Sequence, residues 1–112
     1  MSGDSTIGPG DVVRAPFPYV DQSRVRNRPA VVLAAVSPTR GIDLVWAVMV
    51  TSSANEAWVG DVPLESRHRE CGLPVPCVVR TAKVATFERR AVSKVGKLPD
   101  DLWQKLRAAL PL

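Results

Sequence analysis

The stretch Arg24-Val25-Arg26-Asn27-Arg28-Pro29-Ala30-Val31-Val32-Leu33 decides how the chain folds. Three arginines alternate in its first half, and an apolar run over residues 30–36 begins directly after Pro29. The proline ring fixes φ, favours an extended conformation at Arg28 and offers no N–H to a ladder, so it suits the first residue of a strand. The apolar run therefore predicts a core strand, buried on both faces, with Arg28 attached to its start.

A second apolar run of the same length covers residues 44–50 and follows a turn at residues 37–41. Two core strands joined by a short turn form an antiparallel hairpin. At the open end of this hairpin, Thr51-Ser52-Ser53 at the end of one strand should lie beside Arg28 at the start of the other. The sequence thus predicts an arginine close to three hydroxyls.

The rest of the chain predicts further short strands and one C-terminal helix. Pro99 fits the first helical position, two acids follow it, and an apolar stripe runs along Leu102, Trp103, Leu106, Ala109 and Leu110. The predicted fold is mainly β, a small and strongly curved antiparallel sheet with a C-terminal helix. The remaining strands are expected at residues 11–17, 59–64 with Gly60 at a bulge, 77–80 and 82–87 (two strands or one bent strand), and 90–95.

The length of 112 residues predicts one domain, over residues 8–112, after a disordered lead at residues 1–7. The net charge of +4 comes from eleven arginines and four lysines against eleven acids. Residues 24–40 carry four arginines and no acid, whereas residues 41–66 carry four acids and no base. This asymmetry favours a polyanionic partner, since the guanidinium fork matches phosphate oxygens. A solvated surface that happens to be basic is the alternative.

Several classes of protein are excluded or disfavoured. Cys71, Cys77 and the single His68 do not supply four zinc ligands at the usual spacing, and no metal site is expected. A disulfide between the two cysteines stays open. No apolar run exceeds seven residues and the N-terminus has no apolar core of a signal peptide, so a cytoplasmic protein with reduced thiols is expected.

Arg28 and the hydroxyls each have a structural interpretation as well as a functional one. Arg28 can pair with Asp11 or Asp21, yet two more arginines crowd the same loop, which favours an anion. The hydroxyls of Thr51, Ser52 and Ser53 can satisfy turn backbone groups instead. Opposite an arginine, they become donors for the charge that develops on a phosphoryl group under attack.

The aromatic residues and His68 are weighed in the same way. Trp46 in the core strand and Trp103 on the helix stripe are expected to pack, and Trp58 is the candidate for stacking a base. His68, between Arg67 and Arg69, is either a base or an exposed loop histidine.

Asn27-Arg28-Pro29-Ala30-Val31-Val32-Leu33, followed by Val50-Thr51-Ser52 and preceded by Gly10-Asp11-Val12-Val13, resembles the PemK/MazF family of toxin–antitoxin ribonucleases. The resemblance covers about residue 8 to the C-terminus. It implies a small SH3-like antiparallel β-barrel with a C-terminal helix, usually a homodimer. It also implies metal-independent, sequence-specific cleavage of single-stranded RNA that inhibits growth, and a cognate antitoxin that blocks the RNA groove and takes part in DNA binding.

The resemblance assigns catalysis to Arg28 and Thr51, and the residues 18–27 to a loop that covers the site. Some members have an aspartate base at the position of Arg80, and many have Glu-Gln where this chain has Ser23-Arg24-Val25-Arg26. Arg80 is therefore expected to bind backbone phosphates instead. The predicted RNA-binding residues are Ser52, Ser53, Arg24, Arg26, Arg80 and Lys83.

The implied reaction is attack of the ribose 2′-OH on the adjacent phosphorus, which leaves a 2′,3′-cyclic phosphate and a 5′-OH end. Arg28 would stabilise the charge and Thr51 would donate a hydrogen bond to the same oxygens. Two alternatives use the same basic face without cleavage. One is a non-catalytic nucleic-acid-binding barrel, and the other is a toxin that acts on a protein such as DNA gyrase.

Overall fold

The computed structural model of the chain describes residues 6–18 and 25–110. Within them, one sheet contains six antiparallel strands in the order β4-β5-β3-β2-β1-β6. The expected curved, mainly β fold with a C-terminal helix is confirmed, although the hydrogen-bonded sheet is open. None of the described helices is long and apolar enough to cross a membrane. The elements are β1 (Asp11–Pro18), β2 (Val25–Thr39), β3 (Ile42–Ser52), β4 (Asp61–Pro63), β5 (Cys77–Glu88), β6 (Ser93–Lys97) and α1 (Asp100–Ala109).

The β2–β3 hairpin forms as the two apolar runs predict. Its register pairs Ala30 with Met49 and Val31 with Val48, and β2 shifts by one residue after Val32. Both strands extend beyond their apolar runs, because β2 continues to pair with β1 as far back as Val25. The hairpin is therefore the centre of the sheet.

Two apolar clusters pack on the two faces of the sheet. One contains Val31, Val48 and Val50 and is covered by Leu102 and Leu106 of α1. The other gathers small and aromatic side chains around the edge-to-face pair Phe17–Phe87, whose ring centroids lie 4.9 Å apart. Trp103, Ala109 and Leu110 are half-buried against the first cluster, so the predicted stripe of α1 is confirmed.

The two core strands were predicted to be buried on both faces, and they are so buried only over part of their length. Ala30, Val31 and Val32 are fully buried, but Ala35 is exposed and Trp46 is 46% exposed. The expectation that Trp46 packs in the core is wrong, because no described element covers that end of its face.

Several boundaries differ from the predicted ones. Residues 77–88 form one strand, and a 3-10 helix (Glu65–Cys71) lies in the connection between β4 and β5, where no element was predicted. The last strand begins three residues late because a short 3-10 helix (Arg89–Ala91) precedes it. Pro99 is the residue before the helix rather than its first residue, and its carbonyl accepts the Trp103 N–H at 3.0 Å.

Gly60 and Ile7 also depart from expectation. Gly60 has φ +91° in the turn before β4 rather than at a bulge, and its carbonyl accepts the Thr81 hydroxyl at 2.8 Å. Ile7, in the predicted disordered lead, is buried in the second cluster, because it is apolar and lies close before the start of β1 at Asp11. Residues 1–5 of that lead lie outside the described residues.

The two edges of the open sheet meet through a pair of glycines. The 3-10 helix that follows β4 ends at Gly72, which approaches β6 at Gly96. A Cβ on Gly72 would lie 2.3 Å from the Val95 carbonyl oxygen, and one on Gly96 would lie 2.2 Å from that of Cys71. Packing of backbone on backbone therefore closes the curved sheet where hydrogen-bonded pairing does not.

Substitution of Gly96→Ala should destabilise the fold by about 1–3 kcal/mol, because neither backbone can move aside without shifting a strand. The free energy of unfolding in urea measures this loss. Gly8→Ala is the matched control, since a Cβ there meets no atom within 4 Å. An equal effect of the two substitutions would contradict the close contact.

Candidate functional site

A cavity of about 260 Å³ opens at the end of the sheet where β2 begins and β3 ends. Arg28 and Pro29 line one side and Val50, Thr51 and Ser52 line another. The opposite wall is the segment of residues 72–75 that follows the 3-10 helix. Arg14 of β1, Cys77 of β5 and Val95 of β6 complete the lining.

The position of the cavity follows from the end of the β2–β3 ladder. The pairing runs as far as Ala30 and Met49, and the next residue of β2 is Pro29, which has no N–H to donate. Two residues further along the same register lie Arg28 and Thr51. Directly opposed residues share a face of an antiparallel sheet, so these two side chains belong to the same face.

Thr51 lines the cavity and is 6% exposed. Its Oγ1 accepts a hydrogen bond of 2.6 Å from Nδ2 of Asn55. Arg28 is half-buried and lines the same cavity. The structure thus brings together the two residues to which the sequence assigned catalysis.

The two serines after Thr51 have different surroundings. Ser52 lines the cavity, and its hydroxyl accepts the Ala54 N–H at 3.1 Å. The Ser53 hydroxyl donates to the carbonyl of Pro76 at 3.2 Å, and its backbone N–H donates to the same oxygen at 3.1 Å. Ser53 is outside the cavity lining, where it ties the end of β3 to the segment before β5.

Arg80 is placed differently from the sequence expectation that it binds RNA phosphates. Its side chain is 8% exposed and pairs with Asp61, with Nε to Oδ1 at 3.2 Å and Nη2 to Oδ2 at 3.0 Å. Nη2 also donates to the carbonyl of Glu56 at 2.6 Å. The expectation is corrected, because the guanidinium fork is already occupied within the protein.

The surroundings of Arg80 also engage Trp58. The guanidinium lies 4.1 Å from the centroid of the indole, in a cation–π contact. Trp58, the candidate for stacking a base, holds this contact and is 46% exposed, and base stacking by it stays a prediction. The hydrogen bond from Arg80 lowers the pKa of the Asp61 carboxyl below its ordinary value, which keeps the pair charged.

Lys83 and His68 are not among the described residues that line the cavity. Lys83 is exposed on β5, next to the position where pairing with β3 shifts. Nδ1 of His68 lies 3.2 Å from the Glu65 carbonyl, and His68 is not part of the lining. Arg24 falls outside the described residues, and Arg26 is described only as the strand partner of Phe17.

Three contributors to the site were missed from the sequence. Arg14 supplies a second arginine to the lining, from the strand that neighbours β2. Asn55 contacts Thr51, and the signal for it was an amide side chain four residues beyond a threonine in a turn. Cys77 is a buried free thiol whose pKa is raised by burial. It therefore contributes to the cavity wall and is not expected to act as a nucleophile.

Comparison with known proteins places this site in a family. Residues 8–112 match the PemK-like, MazF-like toxin of type II toxin-antitoxin system. The chain belongs to this family. Of the motif residues quoted above, Arg28, Pro29 and the segment Val50-Thr51-Ser52 line the cavity.

Solved structures of the family have the same fold. MazF of Deinococcus radiodurans in its crystal form I has a TM-score of 0.66 and 25% identity, and the match covers 93% of this chain and 92% of that one. A MazE-MazF crystal structure from the same organism, form II, gives a TM-score of 0.65 at 23% identity and covers 93% and 90% of the two chains.

One curated relative is a much longer protein. The carboxylic acid reductase of Mycobacterium tuberculosis is 37% identical over 71 residues, which is 63% of this chain and 5% of that protein. The chain thus spans about one twentieth of the length of this relative, and the match carries no inference about its activity.

Substitution of Asp61→Asn should destabilise the protein by about 3–5 kcal/mol at pH 7, because it leaves the buried Arg80 charge without its partner. The pKa of Asp61 is lowered from 3.8, so the pair stabilises the fold fully above pH 3.8. This contribution is lost as the pH falls below 3.8 through the lowered value.

The free energy of unfolding in urea at pH 7 and pH 3 tests this dependence. The wild type should lose more stability over that interval than Asp61→Asn does. Asp43→Asn is the control at pH 7 and should change the stability little, because the side chain is exposed and its remaining oxygen can still accept the Ser37 hydroxyl, which donates to Asp43 Oδ1 at 2.7 Å. A variant Asp61→Asn with unchanged stability at pH 7 would contradict the role of the pair.

Proposed function

We propose that the chain is a toxin that cleaves single-stranded RNA as a metal-independent, sequence-specific endoribonuclease. The observation that carries this proposal is the shared cavity of Arg28 and Thr51, which lie on neighbouring strands past the end of their ladder. A guanidinium and a hydroxyl on one face offer fixed donors to the oxygens of one phosphodiester. Membership of the PemK/MazF family supports the same reaction.

The proposed reaction is an internal transfer at phosphorus. The ribose 2′-oxygen loses its proton and bonds to the adjacent phosphorus, and the bond from phosphorus to the 5′-oxygen breaks. The 5′-oxygen takes up a proton, so the products are a 2′,3′-cyclic phosphate and a 5′-OH end. Negative charge builds on the non-bridging oxygens, where Arg28 and Thr51 donate.

Proton transfer in this site has a restricted set of candidates. The described lining of the cavity contains neither a carboxylate nor an imidazole, and its basic side chains are Arg14 and Arg28. Arg28, which also holds the charge, and Arg14 are therefore the described basic residues placed to assist the transfer.

The proposal includes partners. An antitoxin would cover the cavity and the basic residues beside it. The D. radiodurans MazE-MazF structure, whose fold is similar, supports a protein partner for this chain. Homodimer formation and cytoplasmic location stay predictions from the resemblance and the composition.

Incubation of a long single-stranded RNA with the protein in excess EDTA should give discrete fragments with 5′-OH ends. Mapping these ends by primer extension would also supply the cleavage sequence. Retarded but intact RNA would instead favour a nucleic-acid-binding barrel. RNA that is neither cut nor bound would favour a toxin that acts on a protein.

Removal of either donor should lower the cleavage rate by about a hundredfold or more while the fold is kept. Arg28→Ala removes the fork, and Thr51→Val replaces the hydroxyl with a methyl of similar shape, which suits a residue only 6% exposed. Single-turnover rates on an oligonucleotide that spans a mapped cut site measure the loss.

Two matched controls lie at the other end of the sheet, near the β2–β3 turn. Arg40→Ala lies in the β2–β3 turn, and Thr86→Val lies on β5 opposite Trp46, and both side chains are exposed. Neither should change the rate. Wild-type rates for Arg28→Ala and Thr51→Val would refute the assignment of the site.

A further inference from the structure

The connection from β3 to β4 is exposed, yet the protein holds it at several points. Residues 53–60 are all exposed, and the Asn55 N–H donates to the Ser52 carbonyl at 3.1 Å. Further along, Arg80 binds the Glu56 carbonyl and stacks on Trp58. The Trp58 N–H donates to Asp61 at 2.9 Å. A loop with so many anchors fixes the side chains that it carries.

Asn55 is the side chain that this loop presents to the cavity residues. Its Nδ2 donates to Thr51 Oγ1 at 2.6 Å, while Asn55 itself lies outside the lining. A threonine hydroxyl has one proton to donate and two lone pairs to accept with. With Asn55 on a lone pair, the proton remains available to point into the cavity that Thr51 lines.

We propose that Asn55 is a positioning residue, whose amide orients the Thr51 hydroxyl so that it donates its proton to a phosphoryl oxygen of the RNA. This inference rests on the proposed function, since it concerns the same site. An unrestrained hydroxyl rotates and spends part of its time bonded elsewhere, whereas a preorganised donor needs no reorganisation during the reaction. A hydroxyl that accepts a hydrogen bond is also polarised into a stronger donor.

Arg80 contributes to the same arrangement indirectly, by holding the loop that carries Asn55. It binds the carbonyl of Glu56, the residue directly after Asn55, and so holds the backbone that carries the amide. The position where the family resemblance places a carboxylate base thus holds, in this chain, the anchor of a positioning loop. The charge of Arg80 acts through structure and not through contact with RNA.

Asn55→Ala should lower kcat roughly tenfold, the effect of one lost hydrogen bond, and leave KM unchanged. In a Thr51→Val background the same substitution should have no further effect, because the amide then has no hydroxyl to orient. The substrate is the oligonucleotide that spans a cut site mapped with the wild-type protein. Thermal melting confirms that the variants are folded, as expected for an exposed residue.

Asn55→Asp provides a second variant that keeps the shape of the side chain. A carboxylate only accepts, so it should capture the Thr51 proton and lower kcat more than Asn55→Ala does. Ala54→Asp adds the same charge one residue earlier in the exposed loop and is the matched control. It should lower kcat less than Asn55→Asp.

The outcomes separate this inference from the proposed function. If the wild type cuts RNA and Asn55→Ala cuts it at the same kcat, the positioning role is overturned and the proposed function stands. An equal loss from Asn55→Ala in the Thr51→Val background, or equal losses from the two aspartate variants, would overturn the role as well. If the wild type leaves RNA uncut, the proposed function fails and the role of Asn55 in it fails too.

Discussion

The ladder between β2 and β3 can extend only as far as the backbone has donors, and Pro29 removes one at the position where the ladder ends. Past that point β2 still pairs with β1, while the end of β3 pairs with β5. The two central strands are thus held by different neighbours on either side of a cavity. The buried valines that follow Pro29 in β2 fix the register of the hairpin, so Arg28 and Thr51 cannot slip relative to each other. The missing N–H of Pro29 thus coincides with the end of the ladder, at the place where the cavity opens.

The second organising contact is the buried pair of Arg80 and Asp61. Taking two charges out of water is costly, and the pair is retained here with a full set of partners: a carboxylate, a carbonyl and an indole face. All of these partners come from the connection between β3 and β4 or from the first residue of β4. The pair therefore gives order to a segment that buries almost no apolar surface of its own.

The central hairpin and the meeting of Arg28 with Thr51 could be predicted from the sequence, because local rules determine them. Two β-branched runs of equal length, a short turn and a proline at a strand start leave little freedom in the pairing. The surroundings of Arg80 could not be predicted. Its partner Asp61 is nineteen residues away, and an arginine in a short strand reads the same whether it faces solvent or a carboxylate. The prediction that Trp46 is buried was wrong for a related reason, since an apolar run does not indicate which face of a strand another element covers.

The contact between Gly72 and Gly96 has a consequence for the cavity, because Gly72 is also the first residue of its wall. That wall is pinned to β6 through backbone atoms, and the facing strands are pinned by their own ladders. The width of the opening between this wall and the strands is therefore fixed. A ligand that enters the cavity has to adapt its own conformation to this width. Such a site would select among ligands by how readily each one changes conformation.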